Sequence, residues 1–255
     1  MVRPTRPAPR ELTVVGSRKV TPNMLRLTLG GPGMAGFPPD QAGGYVKLQI
    51  SVQGQDKPVV RTYTIRAQRD EEIDVDFALH GLREGTAGPA TDWALQARPG
   101  DTIMVGGPGP AKPLAEGAGG YLILGDMTAL PAISVNLENL PADAQGIAIL
   151  EVQSEEDKQE IAHPEGVEIR WLINPEPGQH PVRVEVAMRE VAWPEDSPYA
   201  WVASEFSTMR AMRQYLREER GLGPNALYIS SYWKHGLTEE SHKIVKRDDA
   251  ESLSA

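Results

Sequence analysis

The chain contains no cysteine. That excludes a disulfide framework, a thiolate nucleophile, a cysteine-ligated zinc site and a cysteine-held iron–sulfur cluster. Any redox chemistry must therefore belong to a bound cofactor. Long apolar runs are missing as well: nothing approaches the roughly 20 consecutive apolar residues of a membrane helix. The start MVRPTRPAPR is basic but has no apolar segment behind it, so no secretory signal is expected and the cytoplasm is the default address. Positive charge is in deficit, 26 Lys and Arg against 35 Asp and Glu, for a net charge of −9. A field of that sign repels phosphate backbones and anionic lipid, so neither a nucleic acid nor a membrane is expected as partner. The five histidines show no metal-ligand spacing. The serines lack the strand–turn–helix setting of a hydrolase nucleophile.

What is present is a folded, loop-rich chain of 255 residues with 25 Gly and 22 Pro, long enough for two modest domains. From Leu12 to about Leu114 it reads as short alternating segments broken by turn residues: ELTVVGSRKV, NMLRLTLGG, GGYVKLQISVQ, VVRTYTIRAQ, DVDFALHG and TIMVGG. β-Branched residues at period two predict an antiparallel sheet, and a closed six-stranded barrel avoids two bare edges. After GGPGPAKPLAEGAGG the rhythm changes. YLILG, GIAILEV, VEIRWLI, YAWVAS and ALYISSYW are continuous apolar strands with helical stretches between them, the pattern of a doubly wound parallel α/β domain. One helix is bounded by its residues: Met209, Met212 and Leu216 recur at spacings of three and four, with Ser207 expected to cap the start and Gly221 the end. The expected division is a barrel over 1–116, an α/β domain over 117–236 and a polar tail over 237–255.

Two stretches of the barrel half carry chemistry. Arg61-Thr62-Tyr63-Thr64 lies in a predicted strand, where alternation puts a guanidinium and a phenol on one face and two hydroxyls on the other. A guanidinium forks onto phosphate and a phenol stacks on a planar ring; the same four residues also suit an ordinary exposed strand. Gly85-Thr86-Ala87-Gly88-Pro89-Ala90-Thr91 leads into Asp92-Trp93-Ala94-Leu95. Small residues before a helix leave backbone N–H groups open to a diphosphate; the same stretch also suits an ordinary Gly/Pro turn.

Together, and separated by Asp76-Phe77-Ala78-Leu79-His80, these two stretches resemble the flavin signature of the ferredoxin reductase-like superfamily. More narrowly the chain resembles the siderophore-interacting proteins, the ferric-siderophore reductase branch. The residues carrying this are Val46-Lys47-Leu48, Arg61 to Thr64, Asp76 to Gly81, Ala87 to Ala90, Gly125-Asp126-Met127-Thr128-Ala129-Leu130-Pro131-Ala132 and Tyr232-Trp233-Lys234. The resemblance implies FAD held by Arg61, Thr62, Tyr63, Thr64, Asp76, Phe77, Leu79, His80, Ala87, Gly88, Ala90, Thr91 and Trp233. FAD rather than FMN is implied because a second phosphate site at Gly88 would otherwise lack a ligand. NAD(P)H is expected at Asp126, Thr128, Ala129, Glu151, Ser204 and Glu205. Glu151 and the run Ser154-Glu155-Glu156-Asp157 lean toward NADH, since carboxylates bind ribose hydroxyls and repel a 2′-phosphate. Arg210 and Arg213 are the alternative phosphate holders.

The substrate implied is a ferric siderophore, drawn in by Lys47 and Lys234, with a monomer as the expected oligomeric state. Electron transfer would release Fe(II), which hard oxygen donors hold less tightly than Fe(III), and no protein metal ligand is required. Two departures from the family stand out. Met127 replaces an acidic residue, and Gly107-Pro108-Gly109-Pro110 lacks a basic one, with Lys112 nearby. They keep two other readings open: a reductase serving free flavin or a redox protein, and a ferric-siderophore binding protein without turnover.

Overall fold

Alternating side chains close the first unit on itself. The computed structural model describes residues 8–81, 87–179 and 182–252, and the chain divides into two compact units between Pro113 and Leu114. In the first, strands β1 (Arg10–Thr21), β2 (Met24–Gly30), β3 (Tyr45–Ile50), β4 (Val59–Arg69), β5 (Glu72–Ala78) and β6 (Thr102–Gly109) form a closed antiparallel barrel in the order β1-β2-β5-β4-β3-β6. Leu12, Val14, Leu27, Leu29, Leu48, Ile65, Ile73, Val75 and Phe77 fill its interior without exposure. Closure leaves no bare strand edge. On the outer face of β2 and β5, Arg26 forks onto Asp76 at 2.6 and 2.7 Å, and Thr28 and Arg69 hold Asp74. One helix, α1 (Pro89–Gln96), packs Ala90 and Ala94 into the same core.

The second unit is a parallel sheet. Strands β7 (Gly120–Gly125), β8 (Gly146–Val152), β9 (Val167–Ile173), β10 (Pro198–Glu205) and β11 (Leu227–Trp233) run in the order β11-β10-β7-β8-β9. Their continuous apolar character follows from burial on both faces. Helices α2 (Leu130–Glu138), α3 (Val182–Arg189) and α4 (Phe206–Arg213) make the crossovers. Gly125 permits a close helix approach, because a Cβ there would lie 2.4 Å from Ile133 and 3.0 Å from Ala129. From β7 the chain builds outward through β8 to β9 on one side, then crosses back to place β10 on the other side of β7. The carboxyl ends of β7 and β10 are therefore the topological switch point, where open α/β sheets bind ligands.

Two local expectations change. The start of α4 is capped by Glu205, whose carboxylate accepts from Ser207 N at 2.5 Å and Thr208 N at 3.3 Å. Ser207 is instead inside the first turn, and its own N–H is one of the two donors that Glu205 satisfies. The helix then runs into a π-helical turn, Gln214–Glu219, and Gly221 ends it at φ +71°. Residues 237–255, expected as a polar tail, contain a fifth helix, α5 (Glu239–Ser252). Among the described residues, no helix is long and apolar enough to cross a membrane.

Candidate functional site

In the barrel unit, pairing decides which face each residue of the Arg-Thr-Tyr-Thr strand presents. Arg61 pairs with Leu48 and Tyr63 with Val46, both core residues, whereas Thr62 pairs with Lys47 and Thr64 with Tyr45. Cross-strand partners share a face. Arg61 and Tyr63 thus stand together on the core-side face, as their spacing predicts, and Lys47 stands on the other with the two threonines. Tyr63 lies against Phe77 with ring centroids 4.3 Å apart, and Phe77 against Trp93 of α1 at 6.1 Å. This chain of three rings ties β4, β5 and α1 into one piece. It brings the strand motif and the helix start, some 25 residues apart in sequence, onto the same wall.

The start of α1 is open. Gly88 is its N-cap, no side chain caps the first turn, and Pro89 occupies the first helical position. Among the described residues, no atom lies within 4 Å of where a Cβ at Gly88 would stand. The free N–H groups of such a turn carry partial positive charge into open space. Gly85 and Thr86 of the expected turn lie outside the described residues. Ala87 and Gly88 are half-buried, whereas Ala90 and Thr91 are buried, so they offer backbone rather than side chain.

Packing engages the side chains of three residues expected at the flavin. Phe77 and Leu79 point into the barrel core, 0% and 1% exposed, because strand alternation turns both inward. Asp76, on the opposite face, is consumed by Arg26. Half-buried His80 follows at the end of this run. Beside the threonines, Lys47 faces Gly106 across β6. The next row holds Tyr45, whose ring covers Gly109 so closely that a Cβ would fall 2.1 Å from it. The Gly-Pro-Gly-Pro stretch thus gives a flat floor to an outer-face strip of Lys47, Tyr45, Thr62 and Thr64.

In the α/β unit the expected nicotinamide residues gather at the switch point. Ala203 pairs with Gly125, which places Ser204 and Glu205 beside Asp126, and Glu151 is the penultimate residue of the neighbouring β8. Asp126 is buried and takes four hydrogen bonds. Its Oδ1 accepts from Thr128 N at 2.9 Å and Thr128 Oγ1 at 2.5 Å. Its Oδ2 accepts from Glu205 N at 2.9 Å and Trp233 Nε1 at 2.8 Å. Burial pushes its carboxyl pKa above the ordinary range, while these donors pull it down. Glu205 is equally engaged, capping α4 with one oxygen and accepting from His235 N with the other. Ala129 is fully buried at the start of α2, and Ser204 is 2% exposed. The polar atoms of Asp126, Thr128 and Glu205 thus knit the strand ends together.

Glu151 is the carboxylate of this cluster with fewest internal partners. Burial first, and then the field of Asp126, push its pKa up to about 7, against a bond from Asn174. Asn174 itself, 2% exposed, is a site residue that sequence reasoning missed. It organises the segment after β9: its Nδ2 donates to Gln179 O, and its Oδ1 accepts from Glu176 N. The Asn-Pro-Glu-Pro-Gly run was the available signal, since such residues mark a tight turn. Met127 is buried with Gln153 Nε2 at 3.6 Å from its sulfur, so the departure from the family is filled by packing. Asp157 of the acidic run is buried and accepts from Ser154. Arg213 is committed to Asp249 at 2.6 and 2.8 Å, with Arg210 at 3.5 Å from the same carboxylate. Lys234 lays its ammonium over the Phe206 ring at 4.4 Å.

Comparisons with known proteins agree over nearly the whole chain. Residues 118–236 match the family model described as siderophore-interacting protein, and 13–58 with 49–112 match the siderophore-interacting FAD-binding domain. A relative named ferric vibriobactin reductase ViuB, from Vibrio cholerae, is 38% identical over 92% of each chain. The NADPH-dependent ferric-chelate reductase of Escherichia coli is 25% identical, over 88% of this chain and 92% of its own. Among solved structures, the siderophore-interacting protein SipS from Aeromonas hydrophila superposes with a TM-score of 0.84 at 34% identity, covering 96% of this chain and 98% of that one.

Proposed function

The chain belongs to the siderophore-interacting protein family, and from that premise we propose that it is an FAD-dependent reductase of ferric siderophores. Reduced nicotinamide is the electron source and Fe(II) the released product. The observation that carries the reading is the ring chain Tyr63–Phe77–Trp93, which fixes a phenol and a guanidinium on the same wall as an uncapped helix start. These residues fit a flavin dinucleotide. Tyr63 has one face against Phe77 and keeps partial exposure, the backbone at Gly88 and Ala90 offers N–H donors to a diphosphate, and Arg61 adds a cation. No described side chain covers Gly88, which suits the second phosphate that distinguishes FAD from FMN. When bound, FAD accepts a hydride and returns its electrons one at a time, which a Fe(III) acceptor requires.

The remaining work belongs to the chain. The carboxyl ends of β7, β8 and β10 take the dinucleotide, and Glu151 is placed to accept from ribose hydroxyls, which favours NADH over NADPH. The strip of Lys47, Tyr45, Thr62 and Thr64 meets an anionic ferric chelate. Reduced nicotinamide is a cytoplasmic currency, and the protein acts there, as a monomer.

The test is one spectrum and two additions. Purified protein reconstituted with FAD should be yellow and should bleach under anaerobic NADH faster than under NADPH. A ferric siderophore should then restore the colour while a ferrous chelator traps Fe(II). A colourless protein that retains no flavin would overturn the reading. Recolouring by free flavin or a ferredoxin but not by ferric chelates would move it to the neighbouring reductase class. Chelate binding without Fe(II) would leave a binding protein.

A further inference from the structure

We infer that Asp126 is a positioning residue that latches the indole of Trp233 across the carboxyl end of the parallel sheet, so that reduced nicotinamide gains the switch point only when this latch opens. The inference rests on the function proposed above and concerns the α/β unit alone.

The geometry starts from strand order. Trp233 ends β11 and Asp126 follows β7, with β10 between them. Neighbouring strands lie about 4.8 Å apart, so the 2.8 Å bond from Trp233 Nε1 to Asp126 Oδ2 lays the indole over the end of β10. The far corner of the ring is held as well. Gly178, at φ +78°, sits so close that a Cβ on it would lie 2.7 Å from Trp233 Cη2, 3.0 Å from His235 Cβ and 3.2 Å from Glu205 Cγ. The segment bearing Gly178 is stiffened by Pro175 and Pro177 and closed by the hydrogen bonds of Asn174 and by Gln179 N donating to Glu176 O. A flat aromatic ring is thus pinned at both ends over the place where a flat nicotinamide ring would bind.

Asp126 suits the task because its other three hydrogen bonds come from Thr128 and from the Glu205 backbone. They fix the carboxylate to β7 and β10 before the indole arrives, so the acceptor is preorganised. No oxygen of Asp126 is left over for a ligand. Its influence on the cofactor therefore passes through Trp233. A site whose competent state is only fractionally populated binds its ligand more weakly by that fraction. Removing one hydrogen bond to a carboxylate then tightens binding by roughly tenfold or more.

The experiment uses the full-length, FAD-loaded protein and the variants Trp233→Phe, Asp126→Asn and the double variant. Trp233→Phe keeps a smaller aromatic cover but removes both the N–H and the ring corner beside Gly178, so it releases the latch even if Asp126→Asn fails to fold. The saturation of anaerobic bleaching with NADH separates its Kd from the limiting rate. The expected result is a Kd lowered roughly tenfold or more in Trp233→Phe, a lowered Kd in Asp126→Asn, whose NH2 group replaces an oxygen that accepts two bonds, and a double variant lowered by less than the sum, because the Trp233–Asp126 bond is common to both. Independently of turnover, the Trp233 indole N–H should exchange slowly in the parent protein and fast in Asp126→Asn. Bleaching that saturates at the same or a higher Kd in Trp233→Phe overturns the latch and leaves the proposed function standing. Absence of bleaching in every variant removes both.

Discussion

Among individual residues, Glu151 makes the most direct demand on experiment. Burial and the nearby Asp126 carboxylate push its pKa up to about 7 from an unfolded value near 4.5. Between those values the folded chain holds a proton that the unfolded chain has released. Stability must therefore fall as pH rises through this window, and the deficit is complete above about pH 7. A tenfold change in proton affinity corresponds to about 1.4 kcal/mol, and partial solvent access reduces the total to roughly 1–3 kcal/mol. Glu151→Gln keeps a carbonyl for Asn174 and cannot ionise. Its thermal midpoint should match the parent near pH 4.5 and exceed it at pH 8; parallel midpoint curves would contradict the assignment. Asp126 is pushed the same way, its pKa raised by burial although four donors pull it down.

Elements differ in how plainly their sequence announces them, and α5 is the extreme case. It docks on β11 and α4 through polar contacts: the buried His242 meets Ser231 Oγ at 2.9 Å, Lys246 reaches Ser230 Oγ and Ser231 O, and Asp249 holds Arg213 of α4. Its Ile244 faces solvent, 53% exposed. Burial, with the charges of Lys246, Lys234 and Lys243, pushes the His242 pKa down to about 4 from 6.5. Between those values the undocked helix takes up a proton that the docked helix refuses, so docking weakens as pH falls through 6.5 toward 4. Hydrogen-exchange protection over 239–252 should drop roughly tenfold between pH 7 and 5, and His242→Asn should abolish that pH dependence; equal protection at both pH values would refute the coupling. Such a helix is illegible in sequence because no apolar stripe marks it. The barrel strands were legible because alternation is a property of neighbours along the chain, and the parallel strands because continuous burial leaves continuous apolar runs. The strand motif and the Gly88 turn were readable for the same local reason. The commitments of Asp126 were not: its partners Glu205 and Trp233 lie 79 and 107 residues away. Nor was the capping of α4 by Glu205, since Glu205 and Ser207 are both possible caps two residues apart and only the fold decides where the helix starts.

The molecule as a whole carries −9 and is proposed to reduce a chelate that is itself anionic, so attraction must be local. Lys47 provides it on the outer barrel face, beside the uncharged Tyr45, Thr62 and Thr64. Salt distinguishes the two contributions by range. At 0.15 M ionic strength charges farther than about 8 Å are largely screened, so added salt removes the distant carboxylates from the encounter before it removes a lysine in contact. A unit charge about 4 Å away in water contributes about 1 kcal/mol, or roughly fivefold. Lys47→Ala should accordingly lower kcat/KM for an anionic ferric chelate about fivefold without changing bleaching by NADH. Its residual kcat/KM should rise with salt, because only the repulsive field of the molecule is left to screen, whereas the parent should change less or fall. If both proteins respond to salt alike, the chelate meets another surface, and the strip of Lys47 and the threonines loses its assignment.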